Sequence, residues 1–413
     1  MSRSTRSWWR AGAVVVSLAL VTTACGKSND KSASNTTTPK AADVTLLCGQ
    51  GKAAPNAYSL AFVGPKTGPA ANLGINILQG AQLAVEQENA RQSTYKFKLE
   101  ICDTQGDKNQ APGQLALYKS DQTVLGLVGP AFSGETNASL PDLQAAGLVM
   151  ISSSATNADL PNVVPNETVF HRVLPDDSAQ AAGIAKFLKA KYSGKSVYYI
   201  DDKSDYGKPL ADAVAMQSKP NGNADLGHSE IDTAEDLYTS AVNDAKRANA
   251  DVLFYGGYYG EAGKLKKQLS DAGVKSLFIS GDGSLDNGFI SAAGAGANGA
   301  IISCPCNLAT ESATGALGTF TKDYDARFKS SKQNTPGTYS SEAYDAANIL
   351  MKGIEAGNTT RPKLLNFVET LPAYTGISKV IDFQPNGDLK ATTVYFFEVK
   401  NGKFAPLTNT DTL

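Results

Sequence analysis

The sequence has few of the residues that most enzymes use for catalysis. It contains two histidines, His171 and His228, and neither lies in a recognisable pairing of a nucleophile with a base. There is no G-x-S-x-G elbow, no H-E-x-x-H motif and no lysine that completes a Walker A loop. These absences exclude the common patterns of serine hydrolases, zinc peptidases and P-loop NTPases. We therefore expect no catalytic residues, no enzymatic activity and no cofactor.

An excess of positive charge is also missing. The chain has 38 Lys and Arg against 40 Asp and Glu, which gives a formal net charge of −2 at pH 7. Loss of residues 1–24, which hold three arginines and no acid, would change that charge to −5. No basic cluster and no interleaved aromatic pattern accompanies this mild acidity. A nucleic-acid partner is therefore not expected.

The sequence has no apolar run long enough to span a membrane as a helix. The run at residues 11–21 is shorter than the roughly 20 residues that a bilayer requires, and three arginines precede it. This pattern predicts a signal peptide over residues 1–24. The segment VTTACG at 21–26 resembles a lipobox, although Thr22 stands where Leu is commonest. We expect Cys25 to be acylated and to hold the protein on the outer face of the bacterial cell membrane; secretion without lipidation is the alternative.

A polar segment follows Cys25. Residues 27–42 are rich in Ser, Asn, Thr and Lys and cannot bury enough apolar surface to fold. We therefore assign residues 25–50 to a lipidated cysteine and a flexible tether. The remaining length of the chain is too great for one ordinary core and sufficient for two lobes.

The hydrophobic pattern predicts the class of both lobes. Strand-like runs alternate with helical spacings through the first half of the chain, and the same alternation then repeats. The strand-like runs lie at 58–63, 95–101, 124–128, 148–151, 197–200, 252–255 and 277–280. This order favours an α/β fold with two doubly wound parallel-sheet lobes. Long helices near 317–329 and 341–356 follow, and then a strand pair near 379–383 and 393–399 with the turn PNGD between them.

We expect the chain to pass between the lobes three times. The candidate hinge crossovers lie near 172–175, near 303–307 and around Asp388. They divide the chain into lobe 1, residues 51–172 with 304–388, and lobe 2, residues 173–303 with 389–413. The segment GAGANG at 294–299 fits the dinucleotide pattern G-x-G-x-x-G, but a helical stretch precedes it and a strand follows, which is the reverse of the required context. We interpret it as a connection.

The cysteines other than Cys25 form an even set of four, which is typical of an oxidising compartment. Three pairings are possible. We favour Cys48 with Cys102, because both flank strands of the first lobe, and Cys304 with Cys306 in a small loop near a hinge. The spacing of Cys304 and Cys306 is too short for an ordinary zinc pair and no histidine is near in sequence, so no metal is expected.

Six segments in chain order resemble the type I periplasmic binding proteins of ABC importers, specifically the leucine/isoleucine/valine-binding family. They are LAFVGPKTGPAANLG at 60–74, VGPAFSGET at 128–136, VMISSSAT at 149–156, DYG at 205–207, FYGGY at 254–258 and SGDG at 280–283. The resemblance covers residues 58 to about 399. It implies two hinged lobes, a ligand in the cleft between them, and an ABC permease as partner.

The chemistry of these segments agrees with that resemblance. Each segment follows a strand, and the carboxyl ends of parallel strands are where such folds bind ligands. Hydroxyl and N–H groups at four positions can donate to the carboxylate of an amino acid: Ser133, Ser154, Ala155 and Thr156. Asp282 can accept from the ammonium group, although the family usually has Glu at this position.

The pocket's remaining walls are expected to be apolar and aromatic. Tyr206 and Tyr258 would close it from lobe 2, while Phe132 and Leu73 would form part of the wall around the ligand's side chain. Each of these residues, taken alone, also fits a role in packing or capping. Glu261 is expected to be a solvated helix start.

We therefore expect a monomeric solute-binding lipoprotein that closes around an amino acid, branched-chain or similar, and delivers it to a permease. Two alternatives remain open: a ligand-sensing lipoprotein with the same fold, and a binder of another small solute such as an amide or an aromatic compound. An enzyme on the same scaffold would need a base or nucleophile that partners Asp282 or Ser133, and the motifs contain none.

Overall fold

The structure is a computed structural model that describes residues 43–91, 94–119, 121–166, 168–309 and 313–413. The predicted signal peptide, Cys25 and most of the predicted tether lie outside the described residues. In this described part, no helix is long and apolar enough to cross a membrane.

A six-stranded sheet forms the first half of the fold. Its strands are β1 (Thr45–Leu47), β2 (Ala57–Gly64), β3 (Lys96–Asp103), β4 (Val124–Val128), β5 (Val149–Ser152) and β6 (Phe170–Arg172). They pair in the order β1-β3-β2-β4-β5-β6, and every pair is parallel. All residues of β4, β5 and β6 are buried. Burial on both faces explains the largely apolar sequences of β4 and β5, whereas β6 buries the polar side chains of His171 and Arg172.

A second sheet begins with five further parallel strands, β7 (Val197–Asp201), β8 (Asp225–Glu230), β9 (Val252–Gly256), β10 (Leu277–Ser280) and β11 (Ile301–Cys304). The chain then forms a small antiparallel ribbon, β12 (Tyr374–Thr375) and β13 (Val380–Ile381), and returns to the second sheet as β14 (Tyr395–Lys400) and β15 (Lys403–Asn409). The second sheet has the order β15-β14-β11-β10-β9-β7-β8, with β14 and β15 antiparallel to their neighbours.

Helices cover both sheets. They are α1 (Ala71–Ala90), α2 (Ala111–Leu115), α3 (Ser133–Ala146), α4 (Asp177–Tyr192), α5 (Gly207–Ser218), α6 (Thr239–Ala248), α7 (Tyr259–Asp271), α8 (Asn287–Ala293), α9 (Gly315–Phe328), α10 (Ser340–Glu355) and α11 (Arg361–Glu369). Helices α9 and α10 pack on α1, and α11 packs on β4 and β5, so the chain returns to the first sheet after β11. We call the part on the six-stranded sheet lobe 1 and the part on the seven-stranded sheet lobe 2.

The predicted strand pair near the C-terminus was wrong in its partners. The PNGD segment does turn the chain, but it leaves only an isolated bridge between Phe383 and Leu389. Strand β13 pairs with β12, and β14 pairs with β11 and β15. The buried Arg172 binds the carboxylate of Asp388. This contact holds the segment after the turn at the crossover between the lobes, where it does not form a hairpin.

Arg172 connects two of the segments that cross between the lobes, the end of β6 and the segment around Asp388. Its Nε donates to Asp388 Oδ1 at 2.7 Å, and its Nη1 donates to the carbonyls of Ala155 and Asn157 at 3.2 and 2.8 Å. The guanidinium is fully buried, its hydrogen bonds go to these oxygens, and it lies 5.3 Å from the centroid of the Phe170 ring, so the buried charge is compensated. This ion pair therefore fixes the chain at the end of β6 against the segment that leads to β14.

The structure contains both disulfides that the sequence favoured. Cys48 is bonded to Cys102, which joins the turn after β1 to β3. Cys304 is bonded to Cys306, where β11 ends and the chain leaves lobe 2. Both sulfurs of the second pair belong to residues with no exposed surface.

Candidate functional site

The loops that follow β4 and β5 form the lobe 1 side of the cleft. Helix α3 begins at Ser133 with Phe132 as its N-cap residue, and the backbone N–H of Phe132 donates to Glu135 Oε2 at 2.9 Å. Ser133 Oγ accepts from the N–H of Asn157 at 3.2 Å. The Ser154 hydroxyl donates to the carbonyl of Ala131. These bonds connect the two predicted segments of lobe 1 directly.

Thr156, like Ser153 in the same loop, has a buried side-chain hydroxyl without a partner among the described residues. Its carbonyl accepts from the N–H of Asp177 at 2.8 Å, and the next residue, Asn157, donates to Ser133. Its Oγ1 is buried and has no hydrogen-bond partner among the described residues. By contrast, the N–H of Ala155, predicted to face the ligand, donates to Ser152 Oγ at 3.0 Å. The Thr156 hydroxyl is therefore free to bond a ligand, whereas the N–H of Ala155 is already bonded to Ser152.

Asp282 lies on the lobe 2 side, directly after β10, and is 1 % exposed. The Tyr206 hydroxyl donates to its Oδ1 at 2.7 Å and accepts from the N–H of Gly283 at 3.0 Å. The ring of Tyr206 lies 5.3 Å from that of Tyr258. The three predicted segments of lobe 2 are thus in contact with one another.

Tyr339 is a residue of the site that the sequence did not reveal. It precedes α10 of lobe 1 and its hydroxyl donates to Asp282 Oδ2, so that the carboxylate is held from both lobes. Its backbone has φ of 71°, in the left-handed region that residues other than glycine rarely occupy. Such strain persists where the surrounding structure enforces it, commonly at functional sites.

Asp177 is a second buried carboxylate that the sequence did not reveal. It begins α4, is 2 % exposed, and neither carboxylate oxygen has a hydrogen-bond partner in the described part of the chain. Burial raises the pKa of Asp177 well above its usual range, and the nearby Asp282 raises it further. The Thr156 hydroxyl opposes this rise without reaching hydrogen-bond geometry. Burial raises the pKa of Asp282 as well, against the two tyrosine hydroxyls that lower it.

The two acids give this interior an excess of hydrogen-bond acceptors. Gln180, one turn along α4 from Asp177, adds a buried Oε1 that lacks a partner among the described residues, while its Nε2 donates to Ser303 Oγ at 3.1 Å. Buried acceptors without donors are costly, and a buried carboxylate is more so. A positively charged group with several N–H donors would satisfy them.

The lobes are closed against each other at the edges of this site. Asn72 Nδ2 of α1 donates to Asp286 Oδ1 at 2.8 Å, and the Tyr259 hydroxyl donates to the carbonyl of Pro69 at 2.9 Å. Leu73, next to Asn72, is fully buried at this junction. The ring of Phe132 lies 4.5 Å from that of Tyr258 across the cleft. Phe132, Leu73 and Tyr258 therefore lie where the lobes meet.

A cavity of about 510 Å³ opens outward from the Phe132–Tyr258 ring pair. Residues 105–109 of lobe 1 line one side, and residues 202–205 and 231–233 of lobe 2 line the other. Lys108 of lobe 1 spans it to reach Asp205 Oδ1 at 2.9 Å. We call this cavity the cleft mouth.

Neither histidine is hydrogen-bonded to a serine, threonine or cysteine side chain among the described residues. His171 Nδ1 lies 3.4 Å from the carbonyl of Val169, and burial lowers its pKa to about 4. His228 Nε2 lies 2.6 Å from Asp201 Oδ2. The described residues contain no group of three or more His, Cys, Asp or Glu that could hold a metal ion.

Comparison with known proteins agrees with this architecture. The family model described as periplasmic binding protein matches residues 57–403. The Leu/Ile/Val-binding protein homolog 3 of Brucella melitensis is 27 % identical over 362 residues, which cover 84 % of this chain and 93 % of that protein.

Two solved structures show the same fold. The branched-chain amino acid transporter substrate binding protein LivJ from Streptococcus pneumoniae, in complex with isoleucine, has a TM-score of 0.76 at 23 % identity, covering 85 % of this chain and 98 % of that one. An ABC transporter solute binding protein from R. palustris, in complex with benzoate, has a TM-score of 0.76 at 16 % identity, covering 86 % and 96 %. The α/β fold with two parallel-sheet lobes that the sequence predicted is confirmed.

Proposed function

This chain belongs to the periplasmic binding protein family, and we propose that it captures an α-amino acid between its lobes as the solute-binding component of an ABC importer. The observation that carries the proposal is the pair of buried carboxylates, Asp177 and Asp282, at the junction of the lobes. The buried Arg172 lowers the pKa of Asp177 electrostatically, but no cationic group hydrogen-bonds the Asp177 carboxylate in the part that the structure describes. An ammonium group would provide the missing charge and donors.

The carboxylate of the same ligand would lie at the start of α3. The first N–H groups of an α-helix have no partner within the helix and carry partial positive charge. Ser133 is the first residue of α3. The segment at Thr156 connects it to Asp177, because the Thr156 carbonyl accepts from the N–H of Asp177 and the N–H of the next residue, Asn157, donates to Ser133 Oγ. One ligand with an anionic and a cationic end therefore fits the two sides of the site.

The side chain of the ligand would contact the rings of Phe132, Tyr206 and Tyr258. This aromatic wall favours an apolar side chain. The Brucella melitensis relative is named a Leu/Ile/Val-binding protein homolog, and the Streptococcus pneumoniae structure contains isoleucine. Branched-chain amino acids are therefore the first candidates. The R. palustris protein that binds benzoate has the same fold as this chain. Benzoate, however, has no ammonium group to offset the charges of Asp177 and Asp282.

We further propose that Cys25 is acylated and that the protein acts as a monomer on the outer face of the cell membrane, beside its permease, without catalysing a reaction. The lipobox-like segment supports the anchor, and the two disulfides support an oxidising compartment. We also propose the lobe boundaries 51–172 with 304–388 and 173–303 with 389–413, except that β1 (Thr45–Leu47), which lies in the predicted tether, pairs with β3 and so extends lobe 1 towards the N-terminus.

A ligand screen tests the proposal. The unacylated mature chain would be unfolded and refolded to remove any bound solute, and its melting temperature measured with each amino acid and with benzoate. A ligand at a hundredfold excess over its Kd stabilises by about 2.7 kcal/mol. We expect an amino acid to raise the melting temperature and Asp282→Asn to abolish the effect, while Asp236→Asn, an exposed acid paired with Lys264, leaves it unchanged. Stabilisation by benzoate alone would contradict the proposal.

A further inference from the structure

The cleft mouth contains a buried acceptor that the proposed function does not use. Asp202 follows β7, is 5 % exposed and lines the cleft mouth. Its Oδ1 accepts from the N–H of Ser204 at 3.0 Å and from the hydroxyl of the same residue. Its Oδ2 is buried and has no hydrogen-bond partner among the described residues. Half of this carboxylate is therefore engaged by the protein and half is left free.

Two tyrosine hydroxyls near Asp202 also lack a hydrogen-bond partner among the described residues. The hydroxyls of Tyr255 and Tyr238 are buried and unpartnered within the described residues. A methyl group placed on Gly257 would lie only 2.4 Å from the Tyr255 hydroxyl and 2.6 Å from Asp202 Oδ2, so both oxygens lie directly against that glycine. Two polar groups of lobe 2 without partners among the described residues are therefore neighbours.

Glu261 adds a second carboxylate to this lining. It was expected to be a solvated helix start, and it does lie in the first turn of α7, but its side chain is half-buried and lines the cleft mouth. Burial raises the pKa of Glu261 and raises that of Asp202 to about 6. The nearest cation on α7, Lys264, is paired with Asp236 at 2.8 Å. Lys108 and Lys203 line the same cavity, but both are exposed and Lys108 is paired with Asp205. The five acids of the lining therefore outnumber its two lysines, and none of the described lining residues is a buried cation.

We propose that the cleft mouth is a second binding subsite, one that takes an alkylammonium group between Asp202, Glu261 and the Phe132–Tyr258 ring pair. An ammonium group offers three donors to the free oxygens, and aromatic rings attract organic cations. A hard metal ion would need six or more oxygen ligands, and no metal-binding cluster is present among the described residues.

The subsite lies on the opposite side of the ring pair from Asp282. Tyr206, which donates to Asp282, contacts one side of Tyr258, and Phe132 contacts it across the cleft. Burial raises the pKa of Tyr258, and the charges of Asp202, Glu135 and Asp282 raise it further, so acids of the cleft mouth and of the inner site both lie near this ring. The ammonium group can therefore belong to a separate small cation or to the far end of a long ligand that occupies the inner site.

A titration with n-butylammonium chloride, monitored by nuclear magnetic resonance, tests whether the subsite binds a separate small cation. We expect saturable binding by the wild-type chain, no binding of n-butanol, and at least a tenfold loss of affinity in Asp202→Asn and in Glu261→Gln. Asp202→Asn keeps the oxygen that accepts from Ser204, and its melting temperature would verify its fold. Asp271→Asn, an exposed acid at the end of α7 that pairs with Lys267 and does not line the cleft mouth, is the control and should bind as the wild type does.

A calorimetric comparison of L-lysine with L-norleucine tests the long-ligand case, since the two differ at the distal ammonium group. If the group belongs to a long ligand, L-lysine binds at least tenfold more tightly and Asp202→Asn removes the difference. Absence of both effects, or their persistence in Asp202→Asn and Glu261→Gln, would overturn the subsite. The butylammonium titration does not depend on the inner ligand, so failure of the amino-acid proposal would be visible separately through Asp282→Asn.

Discussion

The crossover between the lobes and the cleft between them both bury charge, and they treat it differently. At the crossover, Arg172 is paired with Asp388 and bonded to two carbonyls. In the cleft, Asp177 has no partner among the described residues, and Asp282 is held only by neutral tyrosine hydroxyls. Charge that the protein satisfies holds the fold together. Charge that it leaves unsatisfied marks where a ligand is needed.

The largest expected effect is on the satisfied pair. Arg172→Met would leave Asp388 without its partner at the crossover, and breaking a buried ion pair typically costs about 3–5 kcal/mol. Urea unfolding would measure the loss. The double variant Arg172→Met with Asp388→Leu should recover part of it, because neither charge then remains. A loss below about 1 kcal/mol in the single variant would show that the pair does not hold the crossovers.

His171, next to Arg172, should make the stability of the crossover depend on pH. Burial lowers its pKa to about 4, so the unfolded chain takes up a proton before the folded one does. The free energy of unfolding should therefore fall by about 2–3 kcal/mol as pH decreases from about 6.5 to 4. His171→Phe, whose ring suits the contact with Phe383, should remove this part of the pH dependence. Equal slopes in both proteins would exclude His171 as its source.

Asp177 should show the opposite behaviour. Its raised pKa means that the folded protein keeps its proton when the unfolded chain has lost it, so the ligand-free protein becomes less stable as pH rises above about 4. Asp177→Asn should stabilise the ligand-free protein by about 1–3 kcal/mol at pH 7 and weaken ligand binding at least tenfold. Thermal unfolding and calorimetry would measure the two effects. Loss of stability would indicate a structural role instead.

Tyr339→Phe is the smallest change. It removes one donor to Asp282 and keeps the ring, at a cost of about 1 kcal/mol, or roughly fivefold in ligand affinity. Calorimetric titration would measure it, and Tyr324→Phe, which removes a buried hydroxyl bonded to Gln79 within lobe 1, is the control. An unchanged Kd in Tyr339→Phe would mean that Asp282 is positioned by Tyr206 alone.

Much of the fold could be predicted because buried strands such as β4, β5 and β9 have continuous apolar sequences bounded by turns. Strand β8 was missed because it is an exposed edge strand of polar residues, DLGHSE, without a hydrophobic pattern. The C-terminal pairing was wrong because the long-range contact of Arg172 with Asp388, rather than the local turn, decides the path of the chain.

The site was predictable where a motif follows a strand, as for Ser133, Thr156 and Asp282. Tyr339 lies outside those motifs and meets Asp282 only through the packing of two lobes. Asp177 follows the predicted crossover in the segment RVLPDD at 172–177, and an acid directly after a hinge could have suggested it. Sequence cannot show which hydrogen-bonding groups stay unpaired, because that depends on every neighbour in three dimensions.

A crystal structure of the refolded protein with the amino acid that stabilises it most would show whether the two buried acids bind an ammonium group. The ammonium group should lie within ~3 Å of both Asp177 and Asp282, with the ligand carboxylate at Ser133 and the start of α3. A ligand bound with its carboxylate towards the two acids, or outside this cleft, would contradict this prediction.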